Sequence, residues 1–543
     1  MTRRWLAFGF VLAFAVFEMT GCGSSLTSSS SSSSTLTSTT QGTLQVVVTD
    51  VPLCNVMAFR TLVTALAVTP KGTTGSNSIL SSSADIGVDW AALQDTSSIL
   101  AMTAQLPPAT YTSGTLTVAA PSMSLFDPTQ SPPIESITPT FSTESLNFTI
   151  NPALVVTVGK VSVLQLEFNL PQSIQLNSQG QVSTTGSPGS LTVNVTPVVN
   201  AKALSASSSQ GFGEMDDVNG YVLSITNSAF SSGSSQFAGS FVLQLLSGLT
   251  TISPGGGPSV TVAVPSNCTF TGSPVNTVPT GTSGCQVYGT PALNQLTTGN
   301  FAEVNGYLDT NGDFVANTVV VEDRSDLTSD FTTFLGDILS VTRGANGNVT
   351  QFTMTVSDEE PSTGSATSGN PVLLDSPPLI VSVPSSVGFH FSSAATNFAG
   401  VTPDATSLAV GQRVAVSATY VPPPSTSSGG VSTISTTATA QSVYIPLQTV
   451  SGNFAELLSA GSDNVTGTFR LTPCSTVFQG QPVYVFTSAQ TQFQNVNGLA
   501  GLTAPPELQV RGLLYFDQAG GTLQGVDVPP GSYVMLASAV HQL

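Results

Sequence analysis

Charged residues are scarce in this sequence, and their scarcity narrows its range of functions. Only 8% of the 543 residues are charged, and 11 Lys and Arg stand against 30 Asp and Glu, which gives a formal net charge of −19. The basic residues are scattered rather than clustered. Because a nucleic-acid-binding surface needs a basic stripe that displaces counterions from phosphates, we expect no nucleic-acid partner.

Histidine is rare, and reactive cysteine and serine motifs are missing. The chain has 2 His and 5 Cys and contains neither a C-x-x-C pair nor a G-x-S-x-G nucleophile elbow, so neither a zinc cage nor a serine hydrolase site is expected. His390 alternates with two Phe, which predicts a solvent-facing side chain, and His541 lies near the C-terminus, where chains fray. The sequence thus predicts no catalytic residue, no metal and no cofactor.

Acidic residues leave one enzymatic alternative open. We interpret Asp216-Asp217 and Asp358-Glu359-Glu360 as solvated linker charge, but the two carboxylates of a glycosidase can come from distant segments. The alternative function is therefore an extracellular hydrolase with a carboxylate-based site. One deep pocket with convergent acidic groups would favour the hydrolase, whereas shallow grooves between domains would favour a scaffold.

Small polar residues around short apolar runs are abundant. Hydrophobic residues make up 40% of the chain, which has 28 Phe and 49 Gly. β-Branched residues suit the pleat of a strand and Gly suits turns, whereas long helices would need more Glu, Lys and Arg. Trp90 lies in a short amphipathic segment, which predicts core packing rather than sugar binding. We predict an all-β protein of several domains, because a chain of this length exceeds one core.

The N-terminus has the layout of a secretory signal. Residues 1–21 contain two Arg and an apolar run at residues 5–17 that is too short to span a membrane. The ending Gly21-Cys22 resembles the bacterial lipobox, although Met19 stands where Leu is usual. The resemblance implies that Cys22 receives diacylglycerol. An ordinary signal peptide with Cys22 as a passive thiol is the alternative.

A Ser/Thr-rich tether follows directly. Residues 22–41 are almost all Ser and Thr, a composition that cannot form a core and behaves as a disordered, flexible linker. A tether after a lipidated Cys suits an anchored protein. We therefore expect an exported protein held by lipid in the cell envelope, at the outer membrane or cell surface.

The first folded domain is expected at residues 42–203. It contains T-D-V-P at residues 49–52, W-A-A-L-Q-D at residues 90–95 and L-P-P-A-T-Y at residues 106–111. These segments resemble an N-terminal domain found in many bacterial lipoproteins and catalogued only as a domain of unknown function, although Thr110 stands where that family usually has Gly. The resemblance implies a β-sandwich and no reaction.

The remainder of the chain has an internal repeat. Gly220, Gly336 and Gly452 occur in similar apolar segments spaced 116 residues apart. The predicted copies span residues 218–324, 334–446 and 450–543. They resemble another bacterial domain of unknown function, a small five- or six-stranded barrel often found in tandem. The resemblance implies three small antiparallel β-barrels, which we expect to be separate folding units.

One hairpin in the first copy has oxygen donors at alternate positions. Asp309, Asn311 and Asp313 are spaced as in calcium loops, but no bidentate Glu follows at the spacing of a twelve-residue loop. An Asn-Gly hairpin explains the same residues. We therefore predict no metal here and keep calcium as the weaker alternative.

The leading functional hypothesis is a non-enzymatic cell-envelope lipoprotein. Its tandem β domains would serve binding, adhesion or structural spacing, since the copies share no polar cluster. The expected partners are the membrane, through the N-terminal lipid, and an envelope or surface protein or polysaccharide.

Four cysteines remain if Cys22 is lipidated. An exported chain can oxidise them. Cys268 and Cys285 flank a loop rich in Gly, Pro and Thr inside one predicted copy, which favours a local disulfide. Cys54 and Cys474 belong to different predicted domains, so we assign them no partner and leave open whether they pair.

The first prediction is that Cys268 and Cys285 are joined in the exported protein. Peptide mapping without reductant should recover them in one linked pair, because their thiols would be oxidised outside the cytoplasm. Recovery of both as alkylatable thiols would contradict the pairing.

Overall fold

The computed structural model describes residues 41–542 with internal gaps. The gaps are residues 52, 81–85, 94–96, 129–132, 177–181, 187–190, 207–210, 234, 246–258, 266–268, 273–286, 289–292, 294–295, 299–300, 323–330, 357, 361–377, 392–403, 420–436 and 503–506. The signal segment, Cys22, Cys268 and Cys285 lie outside the described residues. None of the described helices has the length and apolar character needed to cross a membrane.

The described chain is nearly all β-structure, which confirms the predicted fold class. The strands of the N-terminal domain (residues 42–204) are β1 (Gly42–Val51), β2 (Val56–Pro70), β3 (Asn77–Leu80), β4 (Ile86–Asp89), β5 (Ser98–Leu106), β6 (Ala109–Phe126), β7 (Ile134–Ile137), β8 (Thr140–Phe141), β9 (Ser145–Val156), β10 (Val161–Asn169), β11 (Asn194–Val195) and β12 (Val199–Leu204), with a 3₁₀ helix at Trp90–Leu93 and helix α1 (Leu170–Ser173).

The N-terminal domain is built on one large sheet. Its strand order is β3-β2-β6-β9-β12-β10-β1-β5, with β4 and β7 paired to β2 and β6. The two halves of the sheet, joined where Ala201 pairs with Ile150, enclose a single apolar core. The predicted sandwich therefore takes the form of a nearly closed barrel.

Trp90 belongs to this core, as its sequence context predicts. The side chain is fully buried, and its ring lies 5.0 Å from the ring of Phe168. The indole Nε1 donates to Thr61 Oγ1 at 2.9 Å, so the one polar atom of the side chain is satisfied. Trp90 thus holds the 3₁₀ helix against the sheet.

Three barrels follow the N-terminal domain. Barrel 1 (residues 213–322) contains β13 (Gly213–Thr226), β14 (Phe230–Ser232), β15 (Ser235–Leu245), β16 (Ser259–Pro265), β17 (Thr269–Gly272), β18 (Val287–Tyr288), β19 (Phe301–Leu308) and β20 (Phe314–Glu322). Barrel 2 (residues 331–445) contains β21 (Phe331–Arg343), β22 (Val349–Met354), β23 (Asp358–Glu360), β24 (Leu379–Ser382), β25 (Gly388–Phe391), β26 (Arg413–Thr419) and β27 (Thr437–Ile445). Barrel 3 (residues 448–542) contains β28 (Gln448–Ala460), β29 (Gly467–Pro473), β30 (Val483–Gln494), β31 (Glu507–Asp517), β32 (Gly521–Leu523), β33 (Val526–Val528) and β34 (Ser532–Gln542), with 3₁₀ helices at Thr476–Phe478 and Leu499–Gly501.

The barrels have the same connectivity. Barrel 3 closes in the order β28-β29-β30-β34-β31, in which β30 and β34 are parallel. Barrel 1 closes as β13-β15-β16-β20-β19 and barrel 2 as β21-β22-β24-β27-β26, again with one parallel pair each. Each barrel thus has the strand order 1-2-3-5-4, a five-stranded Greek-key arrangement of the OB type.

The equally spaced glycines lie in the first strand of each barrel. Gly220, Gly336 and Gly452 each pair with a neighbouring strand of the same barrel. A Cβ atom at Gly336 or Gly452 would collide with the carbonyl oxygen of Thr355 or Thr472. Close backbone approach therefore accounts for glycine at these two positions.

Apolar residues of neighbouring domains pack against the barrel cores. Val47, Ile99 and Val163, on the N-terminal domain, belong to the same apolar cluster as the core of barrel 1. Leu513 and Leu536, in barrel 3, belong to the cluster that forms the core of barrel 2. Apolar contacts therefore join the described domains, and the expectation that each copy is a separate folding unit stays a prediction.

A disulfide joins Cys54 to Cys474, with Cα atoms 5.6 Å apart. The sequence left this pairing open because the two cysteines belong to different domains. The loop after β1 reaches barrel 3 and brings them together. Phe126, at the end of β6, also joins the core cluster of barrel 3, so apolar packing accompanies the covalent bond.

The second prediction concerns this bond. The double substitution Cys54→Ser/Cys474→Ser should lower the free energy of unfolding by about 2–5 kcal/mol, because the bond closes a very long loop in the unfolded chain. Chemical denaturation of the variant and the wild type, each with and without reductant, measures the change. If reductant destabilised the double variant as strongly as the wild type, the effect would belong to other cysteines.

Candidate functional site at a three-domain junction

The loop between β1 and β2 forms one wall of the site. Asn55 adopts a positive φ of 70°, a conformation that Asn tolerates better than most residues. Its side-chain Oδ1 accepts hydrogen bonds from Thr476 N at 2.8 Å and Thr476 Oγ1 at 2.9 Å. Together with the disulfide at Cys54, these bonds fix the loop against barrel 3.

A cavity of about 130 Å³ lies where this loop meets barrels 2 and 3. Polar residues from three domains line it: Asn55, Asp337, Arg413, Gln448, Thr449, Ser451, Ser475 and Arg511. About 10–15 Å³ of such volume holds one water molecule, so the cavity has room for several waters or a small solute.

Strand alternation in barrel 3 explains which side chains reach the cavity. Thr449 pairs with Arg511 across β28 and β31, and Val450 pairs with Val510 one position further on. The two valines belong to the barrel core. Because successive side chains of a strand point to opposite faces, Thr449, Ser451 and Arg511 lie on the outer face.

Barrel 2 supplies the opposite wall by the same rule. Asp337 pairs with Arg413 across β21 and β26, and the next residue, Val414, is in the core of barrel 2. Gln448 ties the two barrels together: its Oε1 accepts from Arg413 N at 2.8 Å, and its Nε2 donates to Gly411 O at 2.9 Å. The outer faces of barrels 2 and 3 thus meet at the cavity.

Asp337 lies in an unusual electrostatic environment. It keeps partial solvent contact, but protein surrounds its carboxyl, and this burial raises its pKa to about 6. Arg413 opposes that rise in the pKa, and Asp89 adds to it. Asp89 is itself paired with Arg60 at 3.2 Å, and Arg60 Nη2 donates to Val356 O at 2.8 Å. A buried ionic network therefore links the N-terminal domain to barrel 2.

In the hairpin at residues 309–313, which is the alternative calcium site, the Asp309 carboxylate makes hydrogen bonds within the turn itself. Asp309 Oδ1 accepts hydrogen bonds from Asn311 N at 2.8 Å and Asp313 N at 2.9 Å. Gly312 has a φ of 83°, and its carbonyl oxygen accepts from Gln45 of the N-terminal domain. These contacts account for the three residues as a turn that docks on the N-terminal domain.

Metal binding gains no geometric support within the described residues. They contain no group of three or more His, Cys, Asp or Glu placed to hold a metal ion. The absence of a metal at the hairpin stays a prediction, with calcium as its weaker alternative.

The two histidines lie in strands. His541 belongs to β34, and its Nε2 lies 2.9 Å from Asn495 Nδ2, so the expectation that this end frays was wrong. His390 lies in β25 opposite Tyr444, and the placement of its side chain lies outside the described residues.

Sequence reasoning missed the cavity because its residues come from three domains. A partial indication was available in L-Q-V-R-G-L-L, residues 508–514, where Arg511 interrupts an apolar strand. Asp337 similarly stands inside the repeated apolar segment that begins barrel 2. A charge inside an apolar strand indicates a buried partner, but not which domain provides it.

Comparison with known proteins gives one family. Residues 41–184 match the family described as "Domain of unknown function (DUF4382)". No curated protein and no solved structure matches the chain. The matched region covers β1 to α1, whereas the sheet of the N-terminal domain continues to β12, at Leu204.

The third prediction concerns Asp337. Its pKa of about 6 in the folded protein exceeds the value of about 3.9 expected in the unfolded chain, so the folded state binds the proton more tightly. The ionised carboxyl therefore opposes folding above about pH 6, and this penalty disappears as the pH falls towards about 4.

Denaturation of the wild type and Asp337→Asn at several pH values tests this. Between pH 7 and pH 4, the free energy of unfolding of the wild type should rise relative to the variant by on the order of 1–3 kcal/mol. Asp527→Asn, in the β32–β33 hairpin away from the cavity, is the matched control. A difference between wild type and Asp337→Asn that does not vary with pH would contradict the prediction.

Proposed function

We propose that the protein is a non-enzymatic cell-envelope lipoprotein. A lipid on Cys22 and the Ser/Thr tether hold it at the outer membrane or cell surface, and its β domains form one head for binding, adhesion or structural spacing. Its partners are the membrane and an envelope or surface protein or polysaccharide.

The main support for the proposal is that the N-terminal domain is attached to all three barrels. Val47 and Ile99 pack with the core of barrel 1, Arg60 hydrogen bonds to Val356 of barrel 2, and Cys54 is bonded to Cys474 of barrel 3. Domains joined by small polar contacts move relative to one another. Shared cores and a covalent bond favour a head that keeps one shape, which suits display or spacing.

Two observations support export. Disulfides persist mainly in oxidising compartments outside the cytoplasm, and the Cys54–Cys474 bond is of this kind. In addition, the family match begins at residue 41, where the Ser/Thr-rich segment ends. A folded domain that starts directly after such a segment suits a tethered protein.

We also infer that the barrels are copies of one repeated domain. Their shared strand order, each with one parallel closing pair, and the position of Gly220, Gly336 and Gly452 in the first strands support this inference. Three copies around one N-terminal domain favour a structural or adhesive role for the array.

The hydrolase alternative gains less support. Glycoside hydrolysis of the usual kind needs two carboxyl groups on either side of the scissile bond. Among the described residues that line the junction cavity, Asp337 is the one carboxylate, and it faces a lining that includes Arg413 and Arg511. Such a lining suits binding better than acid–base catalysis.

The fourth prediction tests the anchor. Cys22→Ser should abolish labelling by a fatty-acid precursor and move the protein from the membrane fraction to a soluble fraction, because the thiol is the site of lipid attachment. Cell fractionation and labelling measure both effects.

Cys54→Ser is the control, because it removes a cysteine and leaves the proposed lipidation site intact. It should keep the label and the membrane location. Labelling that survives Cys22→Ser, or a wild type that is soluble and unlabelled, would overturn the anchored form of the proposal.

A further inference from the structure

We propose that one end of the N-terminal domain, where the Ser/Thr-rich segment joins the fold, lies on a phospholipid surface with anionic headgroups. We call it the tether end and define it by Gly42 and the three loops at residues 71–76, 107–108 and 157–160. The inference deepens the proposed function and rests on its membrane location, but it concerns the surface of the fold rather than the lipid on Cys22.

Backbone hydrogen bonds bring these segments together. Gly159 N donates to Gln41 O at 3.0 Å, and Lys71 N donates to Thr110 O at 2.8 Å. Thr110 in turn pairs with Val155 across β6 and β9. Since neighbouring strands lie about 4.8 Å apart, the loops that carry the lysines and the first residues of the fold share one end of the sheet.

Exposed apolar side chains are concentrated at the same end. Four large hydrophobic residues of the described chain are strongly exposed, and two of them, Val155 at 59% and Val158 at 44%, lie on the β9–β10 hairpin. Pro107 and Pro108, in the loop between β5 and β6, are exposed as well. An exposed apolar patch commonly marks contact with a protein or a membrane.

Charge distinguishes this end from the rest of the chain. Lys71 and Lys160 are exposed, and they are two of only three lysines in the sequence. Residues 70–77, 105–111 and 153–162 include no Asp or Glu, although acidic residues outnumber basic ones by 30 to 11 overall. An anionic bilayer attracts lysine and repels the acidic remainder of the chain. Such a bilayer therefore favours the orientation in which the tether end faces it.

Acidic residues are set back from this end. Within the described N-terminal domain, Glu167 lies six residues beyond Val161, about 20 Å along β10. Gly312 of barrel 1 lies against Val161, but Asp309 of that hairpin is buried and bonded within its own turn, and burial raises the pKa of Asp313. The two lysines therefore supply the charge that a surface at this end would meet.

The length of chain before the fold favours a membrane as the occupant. Residues 22–41 connect the proposed lipid site to Gly42, and a Ser-rich coil of this length spans on the order of 25 Å. A lipid at Cys22 would keep the tether end at a high local concentration beside the bilayer. Weak contacts then suffice to hold it there.

Tryptophan fluorescence on vesicles tests the proposal. The chain from Gly23 keeps every described residue, and its one remaining tryptophan, Trp90, is fully buried. A hexahistidine at its N-terminus binds nickel-chelating lipid and so replaces the lipid on Cys22. The vesicles contain equal parts of phosphatidylglycerol and phosphatidylcholine, or phosphatidylcholine alone, with bromine on the acyl chains as the quencher.

Val158→Trp should shift its emission to the blue and be quenched on the anionic vesicles, because an apolar side chain at this end enters the headgroup region. Leu457→Trp is the matched control, since Leu457 is 42% exposed and lies in barrel 3, and its emission should not change. Lys71→Gln/Lys160→Gln in the Val158→Trp background should reduce the quenching about twofold or more, whereas Arg470→Gln in the same background should not.

The outcomes are distinct. Absence of quenching at Val158→Trp would overturn the proposal and leave lipidation of Cys22 untouched, because the hexahistidine supplies the anchor. Equal quenching at Val158→Trp and Leu457→Trp would show contact without orientation, and equal quenching on both kinds of vesicle would show that charge plays no part. Either result would also overturn the proposal.

Two further results separate this proposal from its neighbours. Dimers in sedimentation of the free chain, without quenching on vesicles, would assign the patch to a second copy instead. Conversely, failure of the Cys22→Ser prediction would not alter the vesicle result, so the lipid anchor and the tether end can be judged independently.

Discussion

The arrangement of the N-terminal domain over barrels 2 and 3 depends on one contact, the closure of this domain on barrel 3. The loop that follows β1 meets a segment 420 residues later in the sequence and is bonded to it through Cys54 and Cys474. Asn55 adds hydrogen bonds to Thr476, and Phe126 adds apolar packing. The junction cavity exists only because this closure brings the N-terminal domain over the faces of barrels 2 and 3.

Buried charge is concentrated at the same place. Only 8% of the residues are charged, yet the Arg60–Asp89 pair and the Asp337, Arg413 and Arg511 side chains all lie near the meeting point of three domains. Buried ion pairs are poor sources of stability, since desolvation offsets their attraction. We interpret them here as groups that select one docking arrangement, because any other would leave buried charges without partners.

Local features of the fold could be predicted from the sequence, whereas long-range contacts could not. Alternating segments predicted strands, the glycine spacing predicted corresponding first strands, and the context of Trp90 predicted its burial. Each of these patterns reflects constraints within one domain. The Cys54–Cys474 pair depends on how domains dock, which no periodicity records, and the assignment of the two cysteines to separate domains gave no reason to join them.

The candidate site likewise depends on contacts between domains, which the sequence does not reveal. Alternation of Val450 with Thr449 and Ser451 could have indicated that the hydroxyls face away from the barrel core. It could not have indicated what covers them, because the covering residues belong to the N-terminal domain and barrel 2. The hairpin at Asp309 was more accessible to prediction, since its hydrogen bonds join residues within the turn.

The closure also has a consequence for the order in which disulfide bonds form. A chain emerges from its N-terminus, so Cys54 is present long before Cys474, and Cys268 and Cys285 become available in between. Oxidation in order of appearance would join Cys54 to one of those nearer thiols. The native pairing therefore requires one of two things. Either the Cys54 thiol stays reduced until Cys474 is available, or an early bond is replaced by thiol–disulfide exchange. If the protein is exported as proposed, its maturation should depend on a disulfide-exchanging catalyst more than its small number of cysteines suggests.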